Sequence, residues 1–378
     1  MRITDVRTVI VEAGNEIVVG PGRRTWMFVE IETDEGVLGV GECSQSRLDH
    51  GVAIAVREMT PWLVGRDPVG LVQPFVRAFL GNPFVGRVRF AAVSGVEQAL
   101  WDLAGKALGV PVYQLLGGAL TRSVPLYANL SGAIASRSPE HMADAAAAAV
   151  AEGYDAVKIY PLPQDSERSA ASGSGLTAAE IDLTEARVRA VREAIGPDVR
   201  LHTDWAWALG PGDARRVADR LAPYDLFWIE EPFARDDAAE LARLRASVRP
   251  RVAGGEQLSF EMDFRALFEA RALDVVMPDV KWIGGLTGYM RIATLAGAFG
   301  VEVSPHNMSG PVATAVCAHL AAAFGALSLE CGWNTVPWRE ELTGAAEPIV
   351  DGHYELSDAP GFGVPWQPEA ARRYEVTD

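Results

Sequence analysis

Three acidic residues, Asp204, Glu230 and Glu256, each close a short apolar run (RLHTD, LFWIE and RVAGGE) and stand 26 and then 26 residues apart. That interval matches one strand, one helix and their loops, so the three carboxylates are expected on neighbouring parallel strands at one height. Further apolar runs carry the same rhythm. VPLYANL, AVKIYP, VRLHTDW, LFWIEEP, RVAGGE, VVMPDV, VEVSPH and LSLEC read as strands, and PEHMADAAAAAVAEG, residues 213–223 and TGYMRIATLAGAFG read as helices between them. Alternating β and α units favour a parallel sheet covered by helices. Eight such strands fit a barrel better than an open sheet, and a barrel gathers its chemistry at the C-terminal mouth of the strands.

The repeat starts near residue 126 and fades near 340. Residues 1–125 look α+β: two strand-like runs are followed by a helix over AAVSGVEQALWDLAGKALG that stops at Gly109, with Pro111 close behind. Asp34-Glu35-Gly36 between β-rich runs signals a hairpin. The segment 341–378 is rich in Gly, Pro and charge, but PGFGVPW offers aromatic anchors, so it is expected to return to the first domain. Residues 164–180 form a polar Ser/Gly/Ala insertion that reads as a loop or a lid.

The net charge of −16 argues against a nucleic-acid surface, which needs clustered Lys and Arg. No apolar run reaches membrane-spanning length, and the start lacks the layout of a signal peptide. Cys43, Cys317 and Cys331 lack ligand spacing and read as reduced packing residues. A cytoplasmic protein with neither nucleic-acid nor membrane partner is the expectation.

Three carboxylates at one height repel each other, and something must hold them ionised. Salt bridges to strand-end Lys or Arg could do so for one of them. Three in step, with little basic sequence nearby, point instead to a hard cation such as Mg²⁺ or Mn²⁺; Zn²⁺ would favour His and Cys.

The same period continues around the rim. Asp279 follows Glu256 by 23 residues, His306 follows by 27 and Glu330 by 24, while Lys158 and Tyr160 close AVKIY upstream. Asp279 and His306 fall on adjacent strands, where a carboxylate can fix the imidazole tautomer and leave the other nitrogen for proton transfer. Lys158, near a divalent cation, would have its ammonium form disfavoured and become a usable base; a snorkelling lysine is the plainer reading. Tyr160 alternates to the same side and could carry a proton or simply wall the site. His202 reads as core, or as support one layer below Asp204.

These residues carry a family resemblance. Asp204 in TDW, Glu230 in WIEEP, Glu256 in AGGE, the PDVKWIGGLTG run at Asp279, SPHN at His306 and SLE at Glu330 resemble the enolase superfamily, and within it the mandelate racemase subgroup. ETDEGVLGVGE and VEQALWDLAGKALGVPVYQLLGG resemble that family's capping domain. The resemblance spans nearly the whole chain. It implies an α/β fold: a (β/α)7β TIM barrel with an N-terminal α+β cap, completed by the C-terminal tail. It implies Asp204, Glu230 and Glu256 as Mg²⁺ ligands, and Lys158 and His306 as acid/base groups on opposite faces of the substrate. Asp279 would orient His306, and Glu330 would hydrogen-bond an enediolate oxygen. Lys281, inside the Asp279 motif, reads as a strand-end or supporting residue.

Two positions depart from the pattern. Tyr160 stands where a second lysine is usual, as in some acid-sugar dehydratases, which leaves open whether Lys158 or Tyr160 moves the proton. Ala206 replaces a polar residue two after the first ligand. The expected activity is abstraction of the proton α to a carboxylate, leading to dehydration of an aldonic or aldaric acid to a 2-keto-3-deoxy acid. Racemase, epimerase or cycloisomerase chemistry through the same enediolate is the alternative, and a non-catalytic sugar-acid binding protein the remote one. Arg23, Arg24, Arg47 and His50 are candidate readers of the substrate's distal end. The resemblance also implies a homo-oligomer, a dimer or an octamer.

Overall fold

The structure, a computed structural model, describes all residues except 16–22, 46–47, 82–85, 133–135, 164–174, 234–236 and 377–378. Its N-terminal part is a three-stranded antiparallel sheet of β1 (Ile3–Asn15), β2 (Arg23–Thr33) and β3 (Leu38–Glu42). Strand alternation sends Ile3, Met27, Val29 and Ile31 into one core. Helices α1 (Asp49–Leu63), α2 (Val72–Leu80) and α3 (Arg87–Leu108) cover that face, with Val56, Phe75, Val96 and Leu100 filling it. The expected helix stop is present: Gly109 adopts a left-handed φ of 69°. A short α4 (Val112–Leu115) leads into the barrel.

Eight parallel strands build that barrel: β4 (Ser123–Asn129), β5 (Ala156–Ile159), β6 (Arg200–Asp204), β7 (Trp228–Glu230), β8 (Arg251–Gly254), β9 (Val275–Val276), β10 (Glu302–Val303) and β11 (Leu329–Gly332). They pair in sequence order, and β11 returns to β4. The amide of Leu327 closes the ring by donating to the carbonyl of Val303 at 2.8 Å. Between the strands run α5 (Pro139–Ala151), α6 (Ala178–Ile195), α7 (Pro211–Leu221) and α8 (Ala238–Ser247). The series continues with α9 (Glu261–Glu269), α10 (Gly285–Phe299) and α11 (Pro311–Phe324). Their starts are written locally. Ser138 and Asp237 cap α5 and α8, and Thr177 with Glu180 forms a reciprocal capping box on α6. Of the polar insertion, residues 164–174 lie outside the described residues and the remainder leads into this box.

The barrel strands are shorter than their apolar runs suggest. Asp204 and Glu230 do close β6 and β7, but Glu256, Asp279 and His306 lie two to three residues beyond β8, β9 and β10. At β8 the physical reason is local: Gly255 takes a left-handed φ of 94°, and its amide and that of Glu256 donate to Glu231 Oε1 at 2.7 and 3.1 Å instead of continuing the ladder.

Two buried carboxylates of the cap grip barrel helices. Glu42 accepts the amides of Gly310 and Ala313 at 2.7 and 2.9 Å, at the start of α11. Glu97 accepts those of Leu286 and Thr287 at 2.8 and 2.9 Å, at the start of α10. Both satisfy orphan N–H groups and lie at the positive end of a helix. Gly285 is required here, because it has φ of 77° and a Cβ would meet Glu97 Oε2 at 2.0 Å.

The tail adds β12 (Ile349–Val350) and β13 (His353–Glu355), the latter antiparallel to β4, and a last helix, α12 (Pro368–Arg373). Its end reaches the N-terminal sheet: Trp366 Nε1 donates to Glu30 at 2.7 Å, and the Val376 amide to the Ile10 carbonyl at 2.8 Å. The three cysteines are free and buried. Among the described residues, no helix is long and apolar enough to cross a membrane.

Candidate active site

In-register pairing of β6 with β7 sets Asp204 opposite Glu230, and the turn after β8 brings Glu256 alongside. One oxygen from each lies within 4.8 Å of the others, and all three side chains are buried. Burial and mutual repulsion push the carboxyls of Glu230 and Glu256 above their ordinary range. Such a cluster calls for positive charge beyond what the protein supplies, and its all-oxygen donor set suits a hard divalent cation. Asp204, Glu230 and Glu256 would hold it.

Lys158, fully buried at the end of β5, reaches into the same cluster. Its Nζ lies 2.5 Å from Glu230, 2.7 Å from Glu330 and 3.3 Å from Asp204. Burial pulls the ammonium down, but Glu230 and Glu330 outweigh it and hold the lysine well above its ordinary range. This is opposite to the lowering argued from sequence, which requires a competing cation among these oxygens.

Tyr160 lines the cavity over this floor, whereas Lys158 does not. The Tyr160 phenol receives a hydrogen bond from Asn129 Nδ2 at 3.3 Å, and the same amide donates to Glu330 at 2.7 Å. Burial and the nearby charge of Asp204 raise the phenol well above the usual range.

His306 lines the cavity as well, three strands from Tyr160 around the closed ring. Its Nδ1 lies 2.7 Å from Asp279 Oδ2, and its Nε2 lies 3.4 Å from Glu256 and 3.8 Å from Glu330. Burial lowers the imidazole, but Glu256, Glu330 and Asp279 together raise it above its ordinary range. Lys281 is more than a strand-end residue: its ammonium bridges both Asp279 oxygens at 2.8 and 2.7 Å. Burial works against Asp279's charge, yet Lys281 and His306 hold the carboxyl low. Glu330 is held at about 2: burial acts to raise it, but Lys158 and His306 prevail.

The cavity above these groups measures about 460 Å³, a size for a small ligand. Arg24 lines it, together with Trp26, Gln45 and Leu48 from the cap. His50 is exposed on the first turn of α1 and is not among the lining residues; Arg47 and the side chain of Arg23 lie outside the described residues. Ala206 and Trp207 form another wall, both with left-handed φ, 46° and 58°, a strain that rim loops concentrate near chemistry. His202 belongs to the core: it stacks on Trp228 at 3.6 Å, and burial keeps it neutral.

Sequence reasoning overlooked three residues here. Asn129 ends β4, so the strand-end rule applied to the first barrel strand would have found it. Arg87, at the start of α3, and Gln257, next to Glu256, also line the cavity. Gln257 was visible as a ligand's neighbour; nothing in the local pattern singled out Arg87.

A closed parallel barrel with acidic and basic groups on its C-terminal rim, roofed by an α+β cap, defines the architecture of the enolase superfamily. The comparisons agree: residues 141–370 match the enolase C-terminal domain-like family, and residues 9–117 match the mandelate racemase / muconate lactonizing enzyme N-terminal domain. The chain belongs to the mandelate racemase subgroup of that superfamily. It is 33% identical to D-xylonate dehydratase from Haloferax volcanii over 380 residues, covering 99% of this chain and 89% of that protein. It is likewise 33% identical to D-gluconate dehydratase from Thermoproteus tenax, covering 93% of this chain and 70% of that protein. A solved mandelate racemase/muconate lactonizing enzyme-like protein from Rubrobacter xylanophilus superposes with a TM-score of 0.88 at 34% identity, covering 99% of this chain and 98% of that one. The 3,6-anhydro-D-galactonate cycloisomerase from Zobellia galactanivorans superposes at 0.85 with 27% identity over the full length of both chains.

Proposed function

We propose that this chain is a Mg²⁺-dependent sugar-acid dehydratase, a hydro-lyase that forms a 2-keto-3-deoxy acid. The observation that carries this reading is the placement of Tyr160 and His306 on separate walls of one cavity, above the Asp204–Glu230–Glu256 cluster. Bound there, the cation would neutralise the substrate carboxylate and so acidify the adjacent C–H bond.

The protein's own groups then divide the work. A basic group at the end of β5 accepts the α-proton, and the C–H electron pair moves onto the carboxylate as an enediolate. Tyr160 faces the cavity, which favours it over Lys158 as the group that meets the proton; burial and Asp204 hold its phenol protonated, so it serves as a base only once a cation held by the acid cluster favours the phenolate. Lys158 instead holds Glu230 and Glu330 in place. His306, kept above its ordinary range by its acidic neighbours, suits the opposite task. As an imidazolium it gives its Nε2 proton to the β-hydroxyl, the C–O bond breaks, water departs, and the enol ketonises. The dehydratases named among the relatives support this direction.

The cycloisomerase likeness favours a second reading, in which the same enediolate is trapped without loss of an external water. A panel of aldonic and aldaric acids, assayed for 2-keto acids as semicarbazones and for α-hydrogen exchange in deuterium oxide, tests both. Semicarbazone-forming product is expected. Exchange without it favours isomerisation, and neither on any acid refutes the enzyme reading.

A further inference from the structure

Arg87 extends from the first residue of α3, in the cap, to the cavity wall on the His306 side. Three side chains from three loops fix its guanidinium. Nε donates to Gln45 Oε1 at 2.9 Å, Nη1 donates to Gln257 Oε1 at 2.5 Å, and the plane lies 4.0 Å over the Trp282 ring. Trp282 in turn sits 5.6 Å from His306, and Gln257 donates to the Glu256 carboxylate at 3.1 Å. The guanidinium is therefore two hydrogen bonds away from a cluster acid.

The partners are unusual for a half-buried cation. They are neutral amides and a ring face; among the described residues no carboxylate pairs with Arg87, and Nη2 makes no hydrogen bond. Lys158 and Lys281, by contrast, are each closed by carboxylates. Partial burial disfavours the Arg87 charge while Asp279 and Glu256 support it without touching it, and a rigid fork with a spare edge most favours an incoming carboxylate, which can take two of its donors. A sugar hydroxyl could accept one hydrogen bond but would match only one donor of the fork.

We infer that Arg87 reads a second carboxylate, so that the preferred substrates are aldaric rather than aldonic acids. This rests on the sugar-acid reading above, in which the first carboxylate lies at the acid cluster. It departs from the D-xylonate and D-gluconate dehydratases to which the chain is similar, which are named for monocarboxylic acids.

The test compares matched pairs, D-gluconate with D-glucarate and D-galactonate with galactarate, on the Mg²⁺-loaded protein, by calorimetric Kd and by steady-state KM and kcat. The diacid of at least one pair is expected to bind at least about 10-fold tighter, the scale of one charge-assisted bidentate contact. Arg87→Gln should abolish that advantage: whatever it costs both acids in common, the diacid-to-monoacid ratio of Kd and of KM should shift by at least about 10-fold towards the monoacid. Arg87→Lys, which keeps the charge and loses the fork, should restore part of it. If the variants weaken both members of each pair equally, Arg87 is only a clamp between cap and barrel and the inference fails. It fails too if wild type handles the monoacids as well as the diacids, an outcome that leaves the dehydratase reading intact. Diacid binding that depends on Arg87, without any 2-keto acid, upholds the inference and refutes dehydration instead.

Discussion

Asp279 Oδ2 lies 2.7 Å from His306 Nδ1, and that contact decides which nitrogen of the ring is left for the cavity. A carboxylate there accepts the Nδ1 proton; an amide cannot keep both this bond and the one from Lys281 in the same sense. Asp279→Asn is therefore expected to lower kcat by about 10²–10⁴-fold with KM little changed, the range for losing an oriented acid/base group. Steady-state kinetics on the best acid of the panel decide it. A loss below about tenfold would show that the pair is not used in the reaction.

Metal dependence is the expected consequence of bringing Asp204, Glu230 and Glu256 within reach of one ion. A cation that binds only the folded state adds stability, about 2.7 kcal/mol at a hundred times its Kd. Thermal melts should rise with added Mg²⁺ or Mn²⁺ and fall again with a chelator. Glu230→Gln should weaken Mg²⁺ binding about 100-fold or more by calorimetry, since even supporting residues cost 10–100-fold. Melts indifferent to the ion would remove the basis for the cation.

Acid stability isolates one histidine at the seam between cap and barrel. His319 Nδ1 accepts the amide of Tyr113 at 3.1 Å, and burial pushes the ring down to about 4. The folded state thus binds this proton less readily than the unfolded chain, whose histidine titrates near 6.5. Its stabilising contribution is complete above about 6.5 and is lost as pH falls towards 4, roughly 3 kcal/mol in all. Urea midpoints at pH 7 and pH 4.5 should separate further for wild type than for His319→Gln. Taking the difference between the two proteins removes the opposite trend from Asp49 and Glu97, carboxyls raised to about 7. Equal acid sensitivity in both proteins would contradict the assignment.

The period of about 26 residues made the barrel and its acidic rim legible, because each strand–helix unit repeats the same length and its last residues carry the chemistry. Distances within the rim were not legible. Lys281 sits two residues after Asp279 and could equally have pointed outward; only the turn after β9 folds its ammonium back onto that carboxylate. Arg87 was harder still. Nothing in RVRFAAVSG distinguishes a solvated helix start from a cavity wall, and its role depends on Gln257 and Trp282, about 170 and 195 residues away along the chain. Contacts between cap and barrel of this kind leave no local periodicity to read.

Lys158 and Tyr160 share the end of β5, and the two are separable by experiment. Tyr160→Phe removes one oxygen from the cavity wall while keeping the ring, so Mg²⁺ binding and melting temperature should hardly move. If Tyr160 meets the α-proton, exchange with solvent deuterium should fall by at least about 10²-fold. Lys158→Met removes the cation that lies against Glu230, Glu330 and Asp204. Breaking a buried ion pair from one side costs about 3–5 kcal/mol, so the metal-free protein should lose stability, and added Mg²⁺ should recover more of it than in wild type because the cluster is then more negative. Should Tyr160→Phe keep full exchange while metal-loaded, folded Lys158→Met loses it, the proton moves through the lysine and the assignment of the two residues is reversed.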